Sequence, residues 1–200
     1  MSYILTPESF KRAYLTQIFL AINILCFIIG NLIIGDPAIY AVVLNYDLVV
    51  GQGAWWRLLT SIFFHWDFNH LFSNMLALLF YGASMEQNFK RGQYFIIYII
   101  SGLGGSIFSL FLNPLTSFAL GASGAIFGIM GAVFVATARQ NRNVLIIGLI
   151  YISYNLYYSF SPGIGTWAHI FGLLFGLGLG YVIWKQNMKK IVSKRVYYVS

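Results

Sequence analysis

Residues 92–138 read GQYFIIYIISGLGGSIFSLFLNPLTSFALGASGAIFGIMGAVFVATA and contain no charged side chain. A membrane-spanning helix needs about 20 predominantly apolar residues to cross about 30 Å of hydrocarbon. The stretch is long enough for two such helices, and Asn113-Pro114 and Gly121 are typical of a break between them. It therefore predicts two consecutive membrane spans joined by a turn.

The rest of the chain has the same character. Of its 200 residues 59% are hydrophobic and 8% charged, whereas soluble domains carry about 25% charged residues. This composition excludes a soluble globule and an intrinsically disordered chain. We predict an all-α polytopic membrane protein, a bundle of six transmembrane helices that forms one domain over residues 1–200. The predicted spans cover roughly residues 15–35, 66–85, 93–112, 122–138, 144–160 and 167–185.

The distribution of positive charge predicts the orientation of the bundle. If the N-terminus is cytoplasmic, the inner segments hold every Lys and Arg of the chain except Arg57. Positive residues resist translocation, so this asymmetry favours a cytoplasmic N-terminus (1–14) and a basic cytoplasmic tail (186–200). We therefore attribute the net charge of +7 to residues that set the membrane topology, and not to binding of nucleic acid. We expect a multi-pass protein of the cell membrane.

Polar side chains cluster near the outer ends of three predicted spans. Span two carries His65, His70 and Asn74, span four opens at Ser123, and span six opens at His169. A polar group in lipid costs several kcal/mol unless it is satisfied, so such residues need partners or a function. The pattern predicts one polar site at a similar depth on the outer side.

Two stripes of glycine adjoin these polar residues. The stripes are Gly124, Gly128 and Gly131 on span four and Gly172, Gly176 and Gly180 on span six. Small residues at this spacing allow two membrane helices to approach closely. If the stripes face each other, Ser123 and His169 are brought together.

A serine hydroxyl becomes a good nucleophile when a neighbouring base accepts its proton, and histidine is the usual base. None of the five acidic residues lies in span four or six, so we predict a dyad of Ser123 and His169 rather than a triad. The backbone N–H of Ser123 and the side chains of His70 and Asn74 are candidate donors to an oxyanion.

Other chemistries lack the residues that they need. No Cys, Asp or Glu is placed to complete a three-histidine metal site, and His65 and His70 should point in different directions on a helix. No phosphate-binding loop or dinucleotide fingerprint is present. We expect neither a cofactor nor a metal.

Taken together, these elements resemble the rhomboid family of intramembrane serine proteases. The resemblance rests on Trp56-Arg57, His65-x4-His70-x3-Asn74, Gly121-Ala122-Ser123-Gly124 and Ala168-His169-x2-Gly172-x3-Gly176. It implies that Ser123 is the nucleophile, that His169 is its general base, and that His70 and Asn74 belong to the oxyanion hole.

The resemblance implies further features of the site. The loop after span one would lie partly in the membrane, and the outer loop 160–166 would cap a water-filled cavity. Phe127 stands where the family often has tyrosine, and its ring is expected to stack on His169. Arg57 and Glu86 would help to fix the first loop and span two, although the predicted orientation puts them on opposite sides.

The predicted function is a serine endopeptidase that cleaves peptide bonds in or near the transmembrane segment of single-span membrane proteins. Its partners would be these substrates and membrane lipid, with no nucleic acid. The alternative is a catalytically inactive rhomboid-like factor for membrane-protein binding or quality control. A transporter or channel is less favoured, because spans four and six become glycine-rich and apolar towards the inner face.

Overall fold

A computed structural model describes residues 5–138, 142–160 and 165–197 of the chain. The helices in these residues are α1 (Pro7–Lys11), α2 (Tyr14–Phe27), α3 (Asp36–Val42), α4 (Arg57–Thr60), α5 (Phe68–Asn88), α6 (Arg91–Leu112), α7 (Ser123–Ala138), α8 (Arg142–Ser159) and α9 (Thr166–Tyr197). A π-helical stretch, Ile28–Ile34, continues α2. Within the same residues there is no β-strand, and Leu44 and Ala119 form an isolated antiparallel bridge.

Each predicted span corresponds to a helix, so the predicted all-α membrane bundle is confirmed. Within the described part of the chain, three helices are long and apolar enough to cross a membrane: Tyr14–Ile34, Arg91–Leu112 and Thr166–Asn187. Helices α7 and α8 are apolar but shorter. Helix α9 continues to Tyr197, beyond the predicted end of span six at residue 185.

Some predicted segments fall partly outside the described residues. Residues 1–4 and 198–200 of the predicted termini are among them, as is the inner connection at 139–141. Most of the predicted capping loop, residues 161–164, also lies outside the described part of the chain.

Helix α7 lies at the centre of the bundle. Most of its residues are buried, and Ala125, Ile129 and Ala132 are wholly inaccessible. A helix that is apolar on every side is one surrounded by protein or lipid, and α5, α6, α8 and α9 all contact α7. The first residue of this central helix, Ser123, is thereby placed inside the protein.

Helices α7 and α9 are in backbone contact through glycine, as the two stripes predict. A Cβ atom at Gly176 would overlap the carbonyl oxygen of Gly128, and one at Gly172 would overlap that of Gly124. Because these oxygens belong to the backbone of a packed helix, they have little freedom to move aside. Only glycine at these two α9 positions allows this separation between the helices.

The segment between α2 and α5 is folded against the start of α7. The buried Arg57 guanidinium donates to the carbonyl oxygens of Tyr40 and of Val43, the latter at 3.0 Å. The Gly121 N–H donates to the Ser61 carbonyl oxygen at 2.9 Å. These bonds attach the residues that precede Ser123 to a fixed part of the structure.

Arg57 and Glu86 do not pair with each other. The Glu86 carboxylate accepts from the backbone N–H of Thr16 at 2.9 Å and from its hydroxyl at 3.0 Å. It also lies 3.6 Å from the Arg91 guanidinium. Arg57 thus holds the first loop and Glu86 holds α5 against α2, and the two side chains act separately.

Substitution of Gly176 by alanine should lower the free energy of unfolding by about 1–3 kcal/mol, the usual cost of overpacking. The matched control is Gly178→Ala on the same helix, where an added Cβ meets nothing within 4 Å. That control should be neutral or slightly stabilising, because alanine is the better helix former. Equilibrium unfolding in detergent measures both variants. Equal stability of the two would contradict the close contact of α7 and α9.

Candidate active site

Ser123 and His169 meet at the N-terminal ends of α7 and α9. The Ser123 Oγ lies 2.7 Å from the His169 Nε2, within hydrogen-bond distance. The imidazole is buried and stacks on the Phe127 ring, with centroids 4.4 Å apart and planes 13° apart. The stacking expected for Phe127 is therefore present, and it holds the imidazole plane beside α7.

The second nitrogen of the His169 ring also has a partner. Its Nδ1 lies 2.6 Å from the hydroxyl oxygen of Ser159, the last residue of α8. That hydroxyl donates to the Asn155 carbonyl oxygen at 2.8 Å. Ser159 was not among the residues predicted from the sequence. The signal that could have found it is the short connection between α8 and α9, which returns the last turn of α8 to the first turn of α9.

His70 is held beside the residues that lead into α7. The Asp67 carboxylate caps α5 by accepting from the His70 N–H at 2.9 Å. The His70 imidazole lies against Gly121, where a Cβ atom would come within 2.9 Å of its Nε2. Gly121 also has a φ of +133°, a conformation that L side chains rarely adopt. Glycine is needed there both for the turn and for the approach of His70.

Asn74 lies one helical turn after His70, on the same face of α5. Its side-chain Nδ2 donates to the His70 carbonyl oxygen at 2.9 Å, and the residue is buried. An amide NH₂ group carries two hydrogens. This bond uses one of them, which leaves the other for a group bound beside Asn74.

His65 lies outside α5, which corrects the expectation from helical geometry. Helix α5 begins at Phe68, and the rings of His65 and His70 meet edge to face with centroids 5.0 Å apart. The buried His65 Nε2 lies 3.5 Å from the Ala122 N–H, which donates to it. A neutral imidazole can accept this bond next to Ser123.

All four candidate site residues, Ser123, His169, His70 and Asn74, line one cavity of about 830 Å³. Its volume is within the range of about 300–1,000 Å³ that is typical of ligand sites. Its walls combine apolar and aromatic groups with hydroxyl, amide and imidazole groups. Such a lining can hold both water and a segment of peptide.

The arrangement has the groups that acyl transfer requires. A hydroxyl lies within proton-transfer distance of an imidazole nitrogen. The Ser123 N–H belongs to the first turn of α7, where helix donors have no partner within the helix. Among the described residues, no three His, Cys, Asp or Glu side chains come together as a metal site. The fold and site define a helical membrane protein with a serine and histidine paired inside the bundle.

Comparison with known sequences agrees with this description. The Rhomboid domain model matches residues 52–186, and the chain belongs to the rhomboid family. It is 36% identical over 169 residues to Rhomboid protease GluP of Bacillus subtilis, which covers 80% of this chain and 33% of that protein. It is 41% identical over 147 residues to RHOMBOID-like protein 2 of Arabidopsis thaliana, covering 70% of this chain and 46% of the relative.

A third relative matches over a larger share of its own length. The chain is 32% identical over 155 residues to Putative rhomboid protease YdcA of Bacillus subtilis, which covers 74% of this chain and 77% of the relative. By contrast, the chain spans less than half the length of GluP and of RHOMBOID-like protein 2. The residues matched by the Rhomboid domain model, 52–186, include the four candidate site residues.

A fluorophosphonate probe is expected to label Ser123 of the detergent-solubilised protein, because His169 activates the hydroxyl. The change Ser123→Ala should abolish labelling, and His169→Ala should slow it by at least about 100-fold. Mass mapping of the labelled peptide identifies the residue. As a control, Ser101→Ala removes a buried serine of α6 and should leave labelling unchanged. Labelling at another residue, or full labelling of His169→Ala, would contradict the pairing.

Proposed function

We propose that this protein is an intramembrane serine endopeptidase that hydrolyses peptide bonds in or near the transmembrane segments of membrane proteins. The observation that carries the proposal is the 2.7 Å approach of the Ser123 hydroxyl to His169 Nε2, in a cavity of a helical membrane bundle. Similarity to proteins named rhomboid proteases supports it. Ser123 and His169 form the catalytic pair, and His70 and Asn74 stabilise the oxyanion.

Acylation begins when Ser123 attacks the scissile carbonyl carbon. His169 Nε2 accepts the hydroxyl proton as the Oγ–C bond forms, and the carbonyl oxygen becomes an oxyanion. The proposed donors to this oxyanion are the Ser123 N–H, the His70 side chain and the remaining hydrogen of the Asn74 amide, and the three residues line the same cavity. Donors in that position stabilise the charge as it develops.

The acyl-enzyme then forms and is hydrolysed. As the C–N bond breaks, His169 gives its proton to the amine fragment, which leaves. A water molecule in the cavity next loses a proton to His169 and attacks the ester carbonyl carbon. His169 returns that proton to Ser123 Oγ as the ester C–O bond breaks, which frees Ser123 and the carboxylate fragment. This step requires water. The polar groups that line the cavity can hydrogen-bond water and so hold it within the bundle.

The substrate class follows from the depth of the site. Helix α7 has 16 residues and a length of about 24 Å, which is shorter than the hydrocarbon core of about 30 Å. This length supports a proposed position of Ser123 below the membrane surface. A substrate helix hides its carbonyl groups in its own hydrogen bonds and must unwind locally. Single-span proteins with small or helix-breaking residues near the outer end of their span are therefore preferred substrates.

The proposed orientation puts both termini in the cytoplasm and opens the cavity to the outer side. The support is the predicted charge asymmetry, with Arg57 the exception outside. The residues 1–14 and 186–200 flank a single membrane domain in this arrangement. Lipid surrounds the bundle, as the exposed apolar side chains of α2 and α8 require.

Purified protein in liposomes should cleave a model single-span substrate, with the cut mapped by mass within or next to its transmembrane segment. Either Ser123→Ala or His169→Ala should lower the rate by at least about 10³-fold, because the pair acts as a unit. The control Ser101→Ala should retain activity. Undiminished cleavage by either catalytic variant would refute the pair. Absence of cleavage by the wild type across several substrates would favour the inactive, binding alternative.

Removal of an oxyanion donor should lower kcat by about 10²–10³-fold with a much smaller effect on KM. Asn74→Ala and His70→Ala test the two side chains separately. Asn88→Ala is the matched control, because the Asn88 amide makes the same type of bond, to the Ser84 carbonyl oxygen, at the other end of α5. Steady-state kinetics on a fluorogenic substrate measures all three. Equal losses for Asn74→Ala and Asn88→Ala would mean that Asn74 acts only on the helix.

A further inference from the structure

We propose that Ser159 is a positioning residue that fixes the tautomer and the orientation of His169. The site then consists of a chain of hydrogen bonds from Ser123 through His169 to Ser159, ending at the carbonyl oxygen of Asn155. The role of Ser159 in catalysis rests on the proposed function. The position of the proton on the His169 ring does not depend on that function.

The direction of each bond in the chain follows from counting protons. A serine hydroxyl carries one hydrogen, and the Ser159 hydroxyl donates it to the Asn155 carbonyl oxygen, 2.8 Å away. A carbonyl oxygen cannot donate, so this hydrogen is not available to the histidine. The bond of 2.6 Å between Ser159 Oγ and His169 Nδ1 therefore has Nδ1–H as its donor.

This assignment determines the state of the other ring nitrogen. A neutral imidazole carries one proton, so with Nδ1 protonated the Nε2 has a free lone pair. That lone pair faces Ser123 Oγ at 2.7 Å and can accept the serine proton. The opposite tautomer would present an N–H to Ser123, and the histidine would then be unable to act as base.

The surroundings of Ser159 suit a fixed partner. Ser159 is 2% exposed. Among the residues of α8 whose side chains are described, it is the one that is buried. The Thr166 hydroxyl donates to the Ser159 carbonyl oxygen at 2.6 Å, which joins the end of α8 to the start of α9. Ser159 is thus held by its own helix through the Asn155 carbonyl oxygen and by α9 through Thr166.

A serine also fits this position better than a carboxylate does in electrostatic terms. An ionised acid inside the membrane domain would carry a large desolvation penalty whenever His169 is neutral. A hydroxyl can accept from Nδ1–H without a net charge. None of the five acidic residues of the chain lies in α7, α8 or α9, so Ser159 takes the place that an acid has in a triad.

The test combines ¹⁵N NMR of histidine-labelled protein with steady-state kinetics, using the full chain in detergent. In the wild type, the His169 signals, assigned by their loss in His169→Ala, should show a protonated Nδ1 and an unprotonated Nε2. In Ser159→Ala, the Nε2-protonated form should appear, and kcat should fall about 10- to 100-fold with little change in KM, as for loss of a hydrogen bond to a group that becomes charged. Ser159→Thr, which keeps the hydroxyl, should restore both readouts.

The matched control is Thr137→Val, which removes a hydroxyl that donates to the carbonyl oxygen of Val133, four residues earlier on α7. It should change neither the tautomer nor kcat. A wild-type His169 with its proton on Nε2, or an unchanged tautomer in Ser159→Ala, would overturn the proposal. Failure of the proposed protease function is recognised separately, by cleavage that persists in Ser123→Ala, and it leaves the NMR result as the test of Ser159.

Discussion

The backbone contact between α7 and α9 is the constraint on which the site depends. In lipid, hydrophobic burial does not draw helices together, so close packing and polar contacts have to do so. The glycine pairs Gly124 with Gly172 and Gly128 with Gly176 allow this approach, and they begin directly beside Ser123. A hydroxyl and an imidazole on separate helices are consequently held within hydrogen-bond distance.

The second constraint is the cost of polar groups inside the membrane domain. Three of the four candidate site residues have side-chain hydrogen bonds that reduce this cost. His169 bonds on both ring nitrogens, one of them to Ser123, and Asn74 bonds the backbone of its own helix. The same hydrogen bonds orient these side chains towards the cavity. The bonds that satisfy the polar groups therefore also arrange the site.

The sequence predicted the helices and the central pair because both follow from patterns within a helix. Apolar runs predicted the spans, and the two glycine stripes predicted that Ser123 and His169 would meet. The features that the analysis missed depend on connections between helices. Ser159 contacts His169 because the end of α8 lies beside the start of α9. His65 contacts His70 because Asp67 starts α5 later than the apolar run suggests. Helical periodicity carries no information on either.

The most direct test of this account is a crystal structure of the protein in a lipidic phase after reaction with a peptidyl phosphonate. The account predicts a bond from phosphorus to Ser123 Oγ, with His169 Nε2 beside it. The phosphoryl oxygen should lie about 3 Å from the Ser123 N–H and face His70 and Asn74. An adduct on another residue, or helices α7 and α9 separated at their glycines with His169 turned away, would contradict the account.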